Sequence, residues 1–291
     1  MSRGVPPVGR LRAADPGVTA YMRVRARETG APPPATEWTP LDQVSPYLAF
    51  AVVKAEDPRF FRHRGIHWRS VADAAWGALR GWGARGASTL TQQLARNLYL
   101  SPARSVGRKA REAILALRME RALDKARILE LYLNVVEWGD GTWGVAQAAR
   151  RWMDRRPAEL DAHDAALLAA LLPAPRRALE GNNANRAWWV QRYVLFQLYH
   201  AGHLTADEWR AGVARATSLC RLTHAGVALD EAVRRVREAL PAPVPERRGL
   251  EMGALLADGF GVDRHVLFHE TVRTWERLRR RPSARVPAPS A

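Results

Sequence analysis

The sequence predicts a mainly α-helical fold, and three observations support this prediction. Apolar residues recur at helical spacing through residues 41–177, for example Ile128 and Leu131. Thr205 and Glu208 have the spacing of a capping box, which marks the beginning of a further helix. No convincing run alternates apolar and polar residues as a half-buried strand does. We therefore expect helices throughout the core.

Composition shifts divide the chain into three parts. Residues 1–40 are rich in Pro and Arg and predict an arm or linker, with one possible helical turn near residues 21–28. Residues 41–203 form the main helical domain, and residues 204–291 a helical extension of unknown role. With 291 residues, 47% of them hydrophobic, the chain has enough apolar material for a sizeable core.

The charge of the chain is strongly basic. It carries 45 Lys and Arg against 29 Asp and Glu, a net charge of +16, and residues 76–127 alone hold eleven cations and three acids. This excess predicts a polyanionic partner: nucleic acid, an anionic membrane surface or a phosphate-bearing substrate. The single cysteine excludes an internal disulfide and a four-cysteine zinc site.

Apolar runs are too short for a bilayer. No stretch reaches the ~18 apolar residues of a membrane-spanning helix, and the beginning of the chain lacks the apolar segment of a signal peptide. We expect a soluble chain, or one whose membrane anchor is missing from this sequence.

The first candidate site is the segment KAEDPRFFRHRG at residues 54–65. Glu56 follows an apolar run, so it is expected at the edge of the core, where partial burial raises the pKa of a carboxyl group toward that of a useful general base. Pro58 predicts a helix end that opens into a cleft, and His63 could orient a carboxylate. A surface helix end with unremarkable polar residues is the alternative.

A glycine-rich loop entering a helix is the second candidate, with the sequence GASTLTQQLARN at residues 86–97. Ser88 or Thr89 could cap the helix, with Thr89 and Gln92 as a capping box. The free N–H groups at such a helix beginning suit a phosphate. The alternative is a capped helix with polar residues in solvent.

Two further segments place acids among cations. Arg108 and Lys109 lie four and three residues before Glu112, so one helical face is expected to hold this carboxylate between two cations, either as a site or as a surface ion-pair row. In the segment KARILELYLN at residues 125–134, Glu130 is expected to be structural, paired to Arg127 or Asn134.

In this order the four segments resemble the motifs of the family-51 glycosyltransferases, the peptidoglycan transglycosylases, over roughly residues 41–177. EDPRFFRHRG is similar to ED-x-x-F-x-x-H-x-G, and GASTLTQQLARN to G-x-STLTQQ-x-x-KN. RKAREAILALRME is similar to R-K-x-x-E-x-x-x-A-x-x-[LM]-E, and KARILELYLN to K-x-x-ILE-x-YLN. No penicillin-binding signature is present, which favours the monofunctional type.

The resemblance implies a lysozyme-like, mainly α fold with a large lobe and a smaller jaw near the membrane. It implies polymerisation of lipid II into β-1,4-linked glycan strands with release of undecaprenyl diphosphate, by a single inverting displacement. Glu56 would be the general base and Glu112 the second essential carboxylate. Substrate-binding positions would be Asp57, His63, Ser88, Thr89, Gln92, Gln93, Arg96, Asn97, Arg104 and Lys109.

The resemblance also implies ligands, partners and a location. A divalent cation, Mg or Mn, could be held by Glu112, and no organic cofactor is expected. Lipid II and the growing glycan strand would be partners, together with the bacterial inner membrane surface on its extracytoplasmic face and other cell-wall synthesis proteins. Nucleic acid is not expected as a partner.

Departures from the family pattern leave alternatives open. Arg96 stands where the family usually has Lys, and Asp154 stands where Gly is usual, which questions local packing more than chemistry. Asp154 keeps a catalytically inactive scaffold as a competing hypothesis. A muramidase-like lytic enzyme on the same fold is another, and a basic nucleic-acid-binding module, supported only by the basic segment 76–85 with Trp76 and Trp82, is a third.

Overall fold

The computed structural model describes residues 8–68, 76, 88–102, 105–241 and 251–253. In these ranges the fold is mainly α, as predicted, with one two-stranded antiparallel hairpin. The helices are α1 Ala20–Thr29, α2 Pro46–Glu56, α3 Leu90–Tyr99, α4 Val106–Ala122, α5 Lys125–Val135, α6 Gly144–Ala148, α7 Ala162–Leu171, α8 Gly181–His200, α9 Ala206–His224 and α10 Leu229–Ala239; the strands are β1 Glu137–Gly139 and β2 Thr142–Trp143.

The centre of the fold is the pair α2 and α7. Every residue of α7 is buried, and α2 buries an unbroken run from Leu48 to Lys54. Because α7 is rich in alanine, neighbouring helices approach it closely, and it packs against both α2 and α8. This packing fixes the end of α2, where Glu56 lies.

A second group of helices surrounds α3. The helix is amphipathic, and it packs against α4, α5 and α1. Thr89 caps its beginning: the hydroxyl of Thr89 accepts from the N–H of Gln92, and the side-chain carbonyl of Gln92 accepts from the N–H of Thr89. The predicted capping box is confirmed.

The N-terminal segment folds onto the core instead of forming an extended arm. Leu11, in the short 3-10 helix Val8–Arg12, and Met22, in α1, are fully buried. Arg25 of α1 pairs with Asp140 at 2.6 Å and with Glu137 at 3.5 Å. These apolar contacts and ion pairs, which a Pro- and Arg-rich composition does not reveal, tie the segment to the hairpin.

Glycine and an unusual backbone shape the region after α5. A Cβ added to Gly139 would lie 2.3 Å from the ring of Trp152, so only glycine allows this ring to pack on β1. Helix α6 continues through the π-helical turn Ala149–Met153 and ends at Asp154, whose φ of 49° lies in the left-handed region. Asp154 therefore occupies a backbone conformation that favours glycine, the residue that the family usually has there.

The C-terminal helices are attached through two arginines, Arg215 and Arg237. Arg215 of α9 is 3% exposed and pairs with Asp161 at 3.5 Å. Arg237 of α10 pairs with Asp164 at 3.1 Å and donates to the backbone carbonyl of Met153 at 2.8 Å. Helices α8 to α10 continue the chain to residue 239, and Thr205 and Glu208 form the expected capping box.

Candidate active site

Glu56 is the last residue of α2, as the position of Pro58 predicts. The residue keeps some contact with solvent, yet protein atoms surround its carboxylate closely. Burial raises the pKa of Glu56, and the hydrogen bond from Gln93, followed by the charges of Arg186 and Arg96, opposes this rise. Glu56 thus lies at the edge of the core, where the sequence places it, and its role as a base stays a prediction.

The partner of Glu56 lies on α3. The side-chain amide of Gln93 donates to Glu56 Oε2 at 2.8 Å, and the carbonyl of the same amide accepts from the hydroxyl of Tyr132 at 3.1 Å. The side chain of Arg96, one turn further along α3, makes no hydrogen bond or ion pair in the part of the chain that the structure describes. The first and second motifs thus meet at this acid, with an uncommitted cation beside them.

Asp57 and His63 hold the two motifs together. Asp57 Oδ2 accepts from the backbone N–H of Leu90 at 3.0 Å and from His63 Nε2 at 2.9 Å. His63 Nδ1 accepts from the N–H of Gly65 at 3.1 Å, so the network assigns the ring proton to Nε2 and a neutral imidazole to His63. Both side chains are buried and act as supports that fix the beginning of α3 beside the end of α2.

Glu112 lies on α4 in a different setting. It is 2% exposed, and its two oxygens accept from Arg108, at 2.5 Å, and from Lys109. The Lys109 ammonium also donates to Ser88 Oγ at 2.7 Å. The predicted face, a carboxylate between two cations, is confirmed, and Ser88 joins it to the beginning of α3.

Most N–H groups at the beginning of α3 have partners, although the glycine-rich loop suggests a free phosphate site. The N–H of Leu90 donates to Asp57, that of Gln92 to the Thr89 hydroxyl and that of Thr89 to the Gln92 side chain. The prediction of free N–H groups is wrong for these three residues, because the capping box and the first motif satisfy them.

Three predicted substrate-binding residues of the second motif are placed as structural residues. Thr89 and Gln92 are buried in the cap, and the Thr89 hydroxyl donates to the Gly65 carbonyl at 2.6 Å. Asn97 is 4% exposed, and its side chain donates to the backbone carbonyl of Gln93 in the same helix. In this structure the three residues make structural contacts, and their role in substrate binding stays a prediction. Arg104 lies outside the described residues.

Glu130, the acid of the fourth motif, makes structural contacts. Glu130 pairs with Arg127 and accepts from the N–H of Leu41 at 2.9 Å. This confirms the expected structural role and decides for Arg127 over the Asn134 side chain, which donates to Thr39 and to the Glu130 backbone.

Two places come into question for a divalent cation. At Glu112, the predicted ligand, both oxygens already accept from cationic donors, so the donor set does not fit a cation. Asp161, His163 and Asp164 offer ligand atoms within 4.8 Å of one another, a spacing that could hold a metal ion. Arg155, Arg215 and Arg237 neutralise these carboxylates. We therefore derive no chemical step through a metal.

Comparison with known proteins decides the family. A family model described as Transglycosylase matches residues 25–199, more than half of the chain. The chain belongs to the transglycosylase family. It is 45% identical over 175 residues, 60% of this chain and 71% of the relative, to a biosynthetic peptidoglycan transglycosylase of Rhodospirillum centenum. It is 44% identical over 168 residues, 56% of this chain and 73% of the relative, to the protein of that name from Aromatoleum aromaticum.

A third relative of the same name, from Rhodopseudomonas palustris strain TIE-1, is 50% identical over 149 residues, 51% of this chain and 63% of the relative. These findings confirm the predicted family, the lysozyme-like helical class and the enzyme class of the transglycosylase. The family match ends at residue 199, so α9 and α10 lie beyond it.

Sequence reasoning missed two residues near Glu56. Tyr132 lies in the fourth motif, and its apolar neighbours gave it the pattern of a core residue. Arg186 of α8 contributes its charge to the surroundings of Glu56 although 130 residues separate them, and no motif had marked it. A polar hydroxyl within an apolar helix, which needs a partner when buried, is the signal that could have indicated Tyr132.

Proposed function

We propose that the chain polymerises lipid II into β-1,4-linked glycan strands, with Glu56 as the general base of a single inverting displacement. One observation carries this assignment: the two carboxylates have opposite settings. Glu56 accepts from a neutral amide and has a raised pKa, whereas Glu112 is bound by two cations. Paired acids whose surroundings differ in this way divide catalytic roles between them.

The base has a definite task in this reaction. The acceptor 4-hydroxyl is a weak nucleophile, and Glu56 takes its proton as the oxygen attacks the anomeric carbon of the donor sugar. General base catalysis of this kind contributes about 10²- to 10⁴-fold. A raised pKa makes the carboxylate a stronger base for the hydroxyl proton.

Departure of the diphosphate needs positive charge instead of a proton. Arg96 has no partner of its own among the described residues, and Lys109 uses two of its three N–H donors on Ser88 and Glu112. We assign the neutralisation of the leaving diphosphate to Arg96, Lys109 and the predicted Arg104. Glu112 then serves to position Lys109, because one of its carboxylate oxygens accepts from the Lys109 ammonium.

The lytic alternative is less compatible with this arrangement. A glycoside hydrolase must protonate an alkoxide leaving group, so one of its two carboxyl groups acts as an acid. Such a reaction has no use for the cations of this site, Arg108 and Lys109 at Glu112 and Arg96 near Glu56. Release of soluble fragments from purified peptidoglycan without use of lipid II would instead support the lytic hypothesis.

The assignment is tested with Glu56→Gln and fluorescently labelled lipid II. We expect polymerisation to fall at least 100-fold, with substrate binding retained, because the amide cannot accept the proton. Glu37→Gln is the matched control, since Glu37 is an exposed acid paired with Arg150. Near-full polymerisation by Glu56→Gln would reject Glu56 as the base.

The domain boundaries and the location are also proposals. We assign residues 41–203 to the catalytic domain and residues 204–291 to an extension.

No helix among the described residues combines the length and apolar content needed to cross a bilayer. The exposed face of α4 combines Val106, which is 89% exposed, and Ile114, 49% exposed, with the exposed Arg111, Arg118 and Arg121. Such a basic and apolar face favours an anionic membrane surface.

Vesicle binding tests this surface. Replacing Arg111, Arg118 and Arg121 with Gln is expected to weaken binding to phosphatidylglycerol vesicles about 100-fold, at about 1 kcal/mol for each charge. A control with the same net charge replaces the exposed arginines Arg156, Arg177 and Arg210. Equal loss in both variants would show that net charge, and not the α4 face, determines binding.

A further inference from the structure

A buried hydroxyl on α5 faces the amide that binds Glu56. Tyr132 is 1% exposed, and its hydroxyl donates to Gln93 Oε1 at 3.1 Å. The other end of the same amide donates to Glu56 Oε2 at 2.8 Å. Three elements, α5, α3 and α2, therefore meet in one chain of two hydrogen bonds that ends on this acid.

The chain of bonds selects one of the two orientations of the Gln93 amide. A primary amide carries a donor and an acceptor of nearly equal size, and rotation by 180° exchanges them. The ionised Glu56 can only accept, which places the NH₂ group of the amide on its side, and the Tyr132 hydroxyl then donates to the amide carbonyl on the α5 side. In the reverse orientation, the amide carbonyl would face a carboxylate oxygen, and both would be acceptors without a proton between them.

We propose that Tyr132 is a positioning residue for glycosyl transfer: it holds Gln93 so that the amide NH₂ stays on the ionised Glu56. This proposal rests on the proposed role of Glu56 as the base. Glu56 also faces Asp57 on its own segment, Arg96 on α3 and Arg186 on α8. Among the groups around Glu56, only Gln93 acts through an amide, so only its contact depends on which way an amide is turned.

The consequence is a defined effect on the acid limb of the pH profile. A hydrogen bond to the ionised form lowers the pKa of a carboxyl group, and the bond from Gln93 does so for Glu56. Removing the Tyr132 hydroxyl weakens the hold on Gln93 and therefore raises the pKa of Glu56. Because a general base must be ionised, activity then requires a higher pH.

The test compares Tyr132→Phe with the wild-type chain in labelled lipid II polymerisation across pH. A loss worth one ordinary hydrogen bond moves the acid limb of kcat/KM upward by about 0.4 to 1 pH unit, so activity on that limb falls about 3- to 10-fold and recovers at higher pH. Tyr199→Phe is the matched control. Tyr199 of α8 stacks on Trp209 of α9, with 5.1 Å between the ring centroids, and belongs to neither hydrogen bond of the chain that ends on Glu56. An unchanged limb with a uniformly lower plateau would overturn the positioning role.

A second readout separates this proposal from the role of Glu56 as the base. The ¹³C signal of the Glu56 carboxylate, assigned through its loss in Glu56→Gln, titrates without any substrate. We expect its midpoint at higher pH in Tyr132→Phe than in wild type and in Tyr199→Phe. An unmoved midpoint overturns the proposal, even if Glu56 is the base. An active Glu56→Gln variant overturns the base assignment, whatever the midpoint does.

Discussion

Arg237 is the residue through which α10 is expected to stabilise the fold most strongly. Its guanidinium donates to Asp164 at 3.1 Å and to the Met153 carbonyl at 2.8 Å, and Asp164 is 1% exposed. Arg237→Met keeps most of the apolar stem and removes both interactions. Hydrogen bonds to charged groups contribute about 1.5–3 kcal/mol, and Arg155 still pairs with Asp164 at 2.7 Å. We expect the free energy of unfolding to fall by about 1.5–3 kcal/mol.

The assay is urea unfolding followed by circular dichroism, arranged as a double-mutant cycle with Asp164→Asn. Removing the carboxylate charge first should halve the cost of Arg237→Met or reduce it further, because the two residues interact directly. Arg235→Met is the control: Arg235 pairs with Glu231 on the exposed face of α10, and its loss should change stability by less than about 0.5 kcal/mol.

The cost of Arg237→Met also depends on pH, with a sign that follows from Asp164. Burial raises the pKa of Asp164 above its ordinary value, and Arg237 opposes this rise. The variant therefore loses most at pH values where Asp164 is ionised in the wild type, and the difference narrows as the pH falls through the raised pKa. A cost that is equal at pH 7 and pH 4, or unchanged in Asp164→Asn, would refute the reasoning.

Three further predictions concern single positions. Asp154→Gly should raise the free energy of unfolding by about 0.5–1.5 kcal/mol, because φ is 49° there, whereas Asp154→Ala should not; equal effects would exclude backbone strain as the cause. Gly139→Ala should lower it by about 1–3 kcal/mol by displacing Trp152, and an unchanged urea midpoint would contradict the close packing. Lys109→Met should reduce kcat/KM for lipid II about 10- to 100-fold, and it should also lower the urea midpoint because the buried Glu112 loses a cationic donor; full activity would remove Lys109 from the diphosphate site.

The sequence was sufficient for those parts of the site that local spacing determines. Glu112 lies one turn from Arg108 and Lys109 on the same helix, so helical geometry alone predicts their contact. Glu56 follows an apolar run and precedes Pro58, which predicts both its burial and its place at a helix end. The order of the four motifs, through the resemblance, placed Glu56 and Gln93 in one site.

Contacts between distant segments were beyond the reach of spacing. Whether the N–H of Leu90 at the beginning of α3 is free depends on Asp57, which accepts from it and lies 33 residues earlier in the chain. The link from Tyr132 to Gln93 spans 39 residues, and the apolar pattern of α5 gives no indication of a polar contact. The N-terminal segment is similar: its composition predicts a linker, but Leu11 and Met22 are buried in the core. Tertiary packing decides each of these cases.

The dependence of kcat/KM on pH, measured for the wild-type chain and for Glu56→Gln with the same labelled lipid II, tests the central claim most directly. Wild-type activity is expected to rise with an apparent pKa above the ordinary value of 4.5 for a glutamic acid, since burial raises the pKa of Glu56. The residual activity of Glu56→Gln is expected to lack this rise. The same acid limb in both enzymes would show that another group takes the proton.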